Sequence, residues 1–185
     1  MGTFEMAKYG VLIGSLREHS FYAGVAHGLV KGLPADAEVT YLEIGNLPFY
    51  NQDFDADSPA SFTEFRAQVA AQDAFIMVTP EYNRGLPAVL KNALDIASRP
   101  WGESVWDGKA VLPVSQSISG IGGALANHTL RQTIEFLNMK IMTQPEMYIG
   151  NTASLSDDEG NITNEDTKKF LAGVASQFDT FVKNN

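Results

Sequence analysis

No cysteine occurs among the 185 residues. A disulfide framework, a thiolate nucleophile, an iron–sulfur cluster and a cysteine zinc site are therefore excluded. Basic residues are scarce: 13 Lys and Arg stand against 22 Asp and Glu, a formal net charge of −9. A negative surface repels a phosphate backbone, and the longest basic run is only Lys168-Lys169, so the reading is no nucleic-acid partner. Three histidines, His19, His27 and His128, lack a metal-binding spacing. No run approaches the ~20 apolar residues of a membrane span. The first eight residues lack the charged and apolar regions of a signal peptide, and Met6 stands where myristoylation needs Ser or Thr. The expectation is a cytoplasmic protein with no membrane partner.

What is present is a globular balance, 44% apolar and 19% charged. The length favours one domain, residues 1–185, with a core over about 8–150 and a C-terminal helix over about 163–183. Elements alternate along it. Strands are predicted at 8–14, 38–44, 74–79, 109–115 and 140–143. Helices are predicted at 20–31, 58–71, 87–98, 124–138 and 163–183. Ser58-Pro59 reads as a cap and first turn, and Thr163 as the cap of the last helix. The fold class is α/β: a doubly wound, five-stranded parallel sheet with helices on both faces.

Ligands of such sheets bind outside the carboxyl ends of the strands. Three turns fall there. Gly14-Ser15-Leu16-Arg17-Glu18-His19-Ser20 joins the first strand to the first helix. Its hydroxyls, one arginine and a helix N-terminus suit a phosphate, while Ser20 reads equally as only a cap and Arg17 as a surface charge. It is neither a G-x-G-x-x-G fingerprint nor a Walker A loop. The second turn, Thr79 to Pro87, is fixed by prolines and glycine, and offers Tyr82 and Asn83 to a flat ring or a polyol. The third, Ser115 to Gly123, is small and lets a ligand approach the backbone.

These turns resemble those of the NAD(P)H-dependent FMN reductases. The likeness rests on Gly14-Ser15-Leu16-Arg17-x-x-Ser20, Pro80-Glu81-Tyr82-Asn83, Leu90-Lys91-Asn92-Ala93-Leu94-Asp95, and Gly122-Gly123 followed by Leu130-Arg131-Gln132. It spans roughly Tyr9 to Tyr148, and is greatest to bacterial quinone and chromate reductases and related azoreductases. The resemblance implies a flavodoxin-like sheet in the order 2-1-3-4-5, bound FMN, NADH or NADPH as co-substrate, and dimers or tetramers. It implies that Ser15, Arg17 and Ser20 hold the FMN phosphate, with Phe21 and Tyr22 beside them. Tyr22 stands where the family usually has Asn. Pro80, Glu81, Tyr82 and Asn83 would line the ribityl chain and ring, with Ser117 on the other side. Arg84 replaces a common aromatic, and reads either as a nucleotide-phosphate contact or as an interface ion pair. Glu146 matches a position at subunit contacts, and His128 reads as interface or merely exposed.

The implied activity is reduction of quinones, flavins, azo dyes or metal oxyanions such as chromate. Hydride passes through the flavin with ping-pong kinetics, so no catalytic side chain and no metal ligand is expected. The alternative is a flavodoxin-type electron carrier without NAD(P)H chemistry. Trp101 and Trp106 read as interface, pocket or core. The acidic stretch Asp157 to Asn161 reads as a tight turn rather than a calcium loop.

Overall fold

A computed structural model describes residues 6–185. The reading of the extreme N-terminus falls largely on residues 1–5, outside those described. The strands are β1 (Lys8–Ile13), β2 (Glu38–Tyr41), β3 (Ala74–Thr79), β4 (Ala110–Gln116), β5 (Lys140–Ile141) and β6 (Met147–Ile149). The helices are α1 (Phe21–Val30), α2 (Ala60–Ala70), α3 (Ala88–Ala97), α4 (Ala124–Phe136) and α5 (Glu165–Lys183). The sheet runs β2-β1-β3-β4-β5, all parallel, which is the expected order.

Alternation of side chains divides the core in two. Tyr9, Val11, Ile76, Val78, Leu112 and Val114 face α1 and α5. Leu12, Phe75, Met77 and Val111 face α2, α3 and α4. β3 is buried along its whole length because helices cover both of its faces, which is why it reads as an unbroken apolar run. Trp106 belongs to this core. It is fully buried, its indole donates to the Leu94 carbonyl at 3.0 Å, and its ring meets Phe75 edge-on at 5.0 Å. Trp101 is exposed.

Several boundaries differ from the sequence reading. The strand expected at 140–143 stops after two residues, and the chain rejoins β4 as β6, which that reading lacked. β4 is long enough to pair with β5 at Ala110 and Val111 and with β6 from Val114 to Gln116. β2 ends at Tyr41, although the Leu42 amide still donates to Val11 at 2.9 Å. Ser58 does not cap α2: its hydroxyl donates to Phe54 and accepts from Arg66, leaving Pro59 as the cap residue. Asn164, not Thr163, caps α5, accepting from the Thr167 amide at 2.9 Å. Ser20 caps α1 as expected. Asp157 to Asn161 is a turn: the Asp157 carboxylate accepts from the Glu159 and Asn161 amides.

At the amino end of the sheet, the buried Tyr9 hydroxyl donates to Asp179 at 2.8 Å, and Lys183 pairs with the same carboxylate. Burial first, then this hydrogen bond, pushes the Tyr9 phenol well above its usual range. Asp179→Ala strands that hydroxyl, so urea unfolding is expected to show a loss of about 1–3 kcal/mol. An unchanged midpoint and slope would contradict the role of this contact.

Candidate functional site

The turns after β1, β3 and β4 meet at the carboxyl edge of the sheet. In the first, the Gly14 amide donates to Val78 and anchors the loop on β3. The Ser15 hydroxyl accepts weakly from the Arg17 amide at 3.4 Å, while Ser20 is buried and caps α1. His19 is exposed and turns the chain with φ 51°. Among the described residues, Arg17 makes no ion pair, and its guanidinium lies over the Phe21 ring at 5.5 Å. The first turn of α1 contains no acidic residue. An unpaired cation, two hydroxyls and a helix N-terminus with only a neutral cap form a donor set that matches a phosphate monoester. A cavity of about 340 Å³ adjoins this loop on its β2 side, lined in part by Ser15, Arg17, Glu18, Tyr41 and Glu43. Tyr22 is half-buried, and burial first, then the neighbouring Tyr82 phenol, raises its pKa against the pull of Arg17.

The second turn closes on itself. Tyr82 and Gly85 exchange backbone hydrogen bonds at 3.0 and 2.9 Å around Asn83 and Arg84, both left-handed at φ 50° and 69°. Positive φ at both central positions defines a primed turn, a conformation that arginine seldom adopts. Tyr82, Asn83 and Arg84 are exposed at its tip, and Pro80 is buried at its base. Glu81 is used differently from its neighbours. One carboxylate oxygen accepts from the α4 amides of Leu125 and Ala126 at 3.0 and 3.2 Å, and the other accepts from Arg84 at 2.7 Å. Arg84 is thus paired within its own turn. Burial alone would raise the Glu81 pKa, but the hydrogen bonds from Arg84, Ala126 and Leu125 outweigh it and hold the group below the usual carboxylate range.

The third turn needs its glycines. Gly122 has φ 65°, and a Cβ there would lie 2.6 Å from the Tyr148 carbonyl carbon. Gly123, at φ 73°, is the cap residue of α4 and supplies no side chain, so the helix relies on Glu81 instead. The Ser117 amide donates to Ile149, and its hydroxyl meets that of Ser119 at 3.1 Å. Beside this turn, Tyr148 on β6 donates to Glu146 at 2.7 Å and lies 3.3 Å from the His128 ring. The structure thereby joins His128 and Glu146, two positions far apart in the sequence, through one phenol. Burial first, then Glu146, raises the Tyr148 pKa.

Other contributors carried no signal in the sequence. Asn127 is fully buried and ties α4 to β6 through the Met147 carbonyl at 3.2 Å, while holding Arg131 at 2.8 Å. Gln116 and Thr152 are fully buried near the carboxyl end of β4, and their side-chain polar atoms have no protein partner. Buried polar groups are nearly always satisfied, so this edge has polar capacity to spare. Among the described residues, no group of three His, Asp or Glu side chains is placed to hold a metal ion. None of the described helices is long and apolar enough to cross a membrane.

Comparisons with known proteins agree with this geometry. Residues 7–154 match the model of the family described as NADPH-dependent FMN reductase. The chain is 45% identical over 176 residues to a 2-hydroxy-1,4-benzoquinone reductase of a Burkholderia species, covering 95% of this chain and 96% of that protein. It is 44% identical to a quinone reductase of Pseudomonas putida, covering 95% and 94%. Among solved structures, it is similar to FerB, a flavoenzyme NAD(P)H:(acceptor) oxidoreductase from Paracoccus denitrificans, with TM-score 0.88, 35% identity and coverage of 97% and 98%.

Gly122→Ala forces a side chain onto β6 at a positive φ. Denaturant unfolding is expected to show a loss of roughly 2 kcal/mol. Wild-type stability in this variant would mean that the turn does not pack on Tyr148.

Proposed function

The chain belongs to the NADPH-dependent FMN reductase family, and on that premise we propose that it is an FMN-dependent NAD(P)H oxidoreductase that reduces quinones. The observation that carries this reading is the unpaired cationic turn at the N-terminus of α1, beside the turn after β3, whose Pro80 and Pro87 approach Gly14. FMN held there would supply two-electron redox chemistry between NAD(P)H and a quinone. In sum, NAD(P)H, a proton and a quinone give NAD(P)+ and a hydroquinone.

The chain's own residues bind and orient. Ser15, Arg17 and Ser20 take the phosphate, with Phe21 and Tyr22 packing beside it. Pro80, Tyr82, Asn83 and the backbone of Glu81 form one wall of the ring site, and Ser117 stands on the other. No side chain need act as nucleophile or acid–base catalyst. Small-molecule acceptors enter through the open side of the crevice.

That rim is apolar. Tyr82 is 52% exposed, Ile118 69%, Ile121 53% and Leu125 44%. Four such side chains around one opening support a second copy of the chain as their cover, with the His128, Tyr148 and Glu146 trio near the contact. We place the protein in the cytoplasm, where its reduced nucleotides are found, and read the chain as one domain.

Two measurements test the proposal. Protein loaded with FMN should lose its flavin absorbance under argon on addition of NADH or NADPH, and regain it with benzoquinone. A flavin that stays oxidised would indicate an electron carrier instead. Arg17→Ala should weaken FMN binding roughly ten- to a hundredfold by fluorescence titration, since a charge-assisted contact is lost. Unchanged affinity would remove Arg17 from the phosphate site.

A further inference from the structure

Helices α1, α3 and α4 each follow a parallel strand and so begin at the carboxyl edge of the sheet with a positive dipole end, and the ends of α1 and α4 differ in charge. They are treated in opposite ways. α1 begins beside Arg17 with no acidic residue in its first turn. α4 begins at Gly123, which has no side chain, and its second and third amides are taken by a carboxylate 44 and 45 residues upstream in sequence. That carboxylate, Glu81, is only 9% exposed, and its second oxygen is taken by Arg84. Both partners of this bond lie in the turns that wall the crevice.

We propose that Glu81 is a positioning residue: its carboxylate fastens the β3 turn to α4 and neutralises the positive end of that helix beside the flavin ring. The proposal rests on the FMN reading above. Two consequences follow from the contacts. First, the turn carrying Pro80, Tyr82 and Asn83 cannot move independently of the turn carrying Ser117. Second, α4 is closed to anions, which leaves the cofactor phosphate to the turn that carries Arg17. Arg84 is the counterweight: it offsets the negative charge that Glu81 brings to the ring site.

The charges give opposite signs for two variants, and a purely structural bond would give neither. Glu81→Gln keeps the shape and one acceptor oxygen but deletes the negative charge. The helix end and Arg84 are then uncompensated, which favours reduced flavin because reduction adds negative charge to the ring. The expected result is a several-fold rise in the ratio of reduced to oxidised FMN affinity, hence a higher midpoint potential; tenfold corresponds to about 30 mV for a two-electron couple. Arg84→Ala deletes the counterweight and is expected to lower the potential.

The measurement is spectroelectrochemical titration of FMN-loaded protein, alongside thermal unfolding without FMN. A drop in melting temperature with no change of potential in either variant would overturn the proposal and leave Glu81 merely structural. Potentials that move in the same direction would also overturn it. If Glu81→Gln does not fold, Arg84→Ala alone decides, since it leaves α4 capped. Wild-type protein that binds no FMN would instead overturn the family reading, which separates the two failures.

Discussion

An asymmetry between two helix ends organises the crevice. Parallel βαβ topology brings the N-termini of α1 and α4 to one edge of the sheet, and each could bind an anion. The end of α1 carries only a neutral cap, Ser20, and no acidic residue in its first turn. The carboxylate of Glu81 closes α4 with two hydrogen bonds of 3.0 and 3.2 Å, which also fix the turn after β3 against the turn before α4. Nearly everything proposed for function depends on that division. On the proposed reading one end would hold phosphate and the middle a ring, while Tyr82, Ile118, Ile121 and Leu125 are exposed.

Rigidity in these turns comes from backbone chemistry more than from side-chain packing. Asn83 and Arg84 both occupy left-handed conformations, and the Tyr82–Gly85 bonds hold them there. Gly122 and Gly123 are likewise left-handed in the third turn, where a side chain at Gly122 would not clear Tyr148. A site assembled from such turns on a buried parallel sheet is preorganised, so little ordering cost is left to the ligand. This suits an enzyme whose cofactor carries the chemistry and whose side chains need only bind and orient.

Much of this was legible in the sequence, for identifiable reasons. β3 declared itself because burial on both faces leaves an unbroken apolar run. The Ser20 cap was legible because capping uses few residue types at fixed spacing. β6 was missed because three residues paired to a neighbour already engaged with β5 leave no periodic trace. The caps at Ser58 and Thr163 were misread because their neighbours Pro59 and Asn164 occupy those positions. Glu81 read as a flavin contact by resemblance, while its bond to α4 is a tertiary fact between residues 44 apart. Arg84 had two readings, both intermolecular, and the structure pairs it within its own turn. Asn127 and Tyr148 carried no signal, since burial of a lone polar side chain cannot be seen in one sequence.

The central claim concerns which helix end receives the cofactor phosphate. Crystals of the protein soaked in FMN test it directly. Density for the phosphate among Ser15, Arg17 and Ser20, with the Glu81 carboxylate still on the Leu125 and Ala126 amides, is the expected result. Phosphate density at the N-terminus of α4, with Glu81 displaced from those amides, would contradict it.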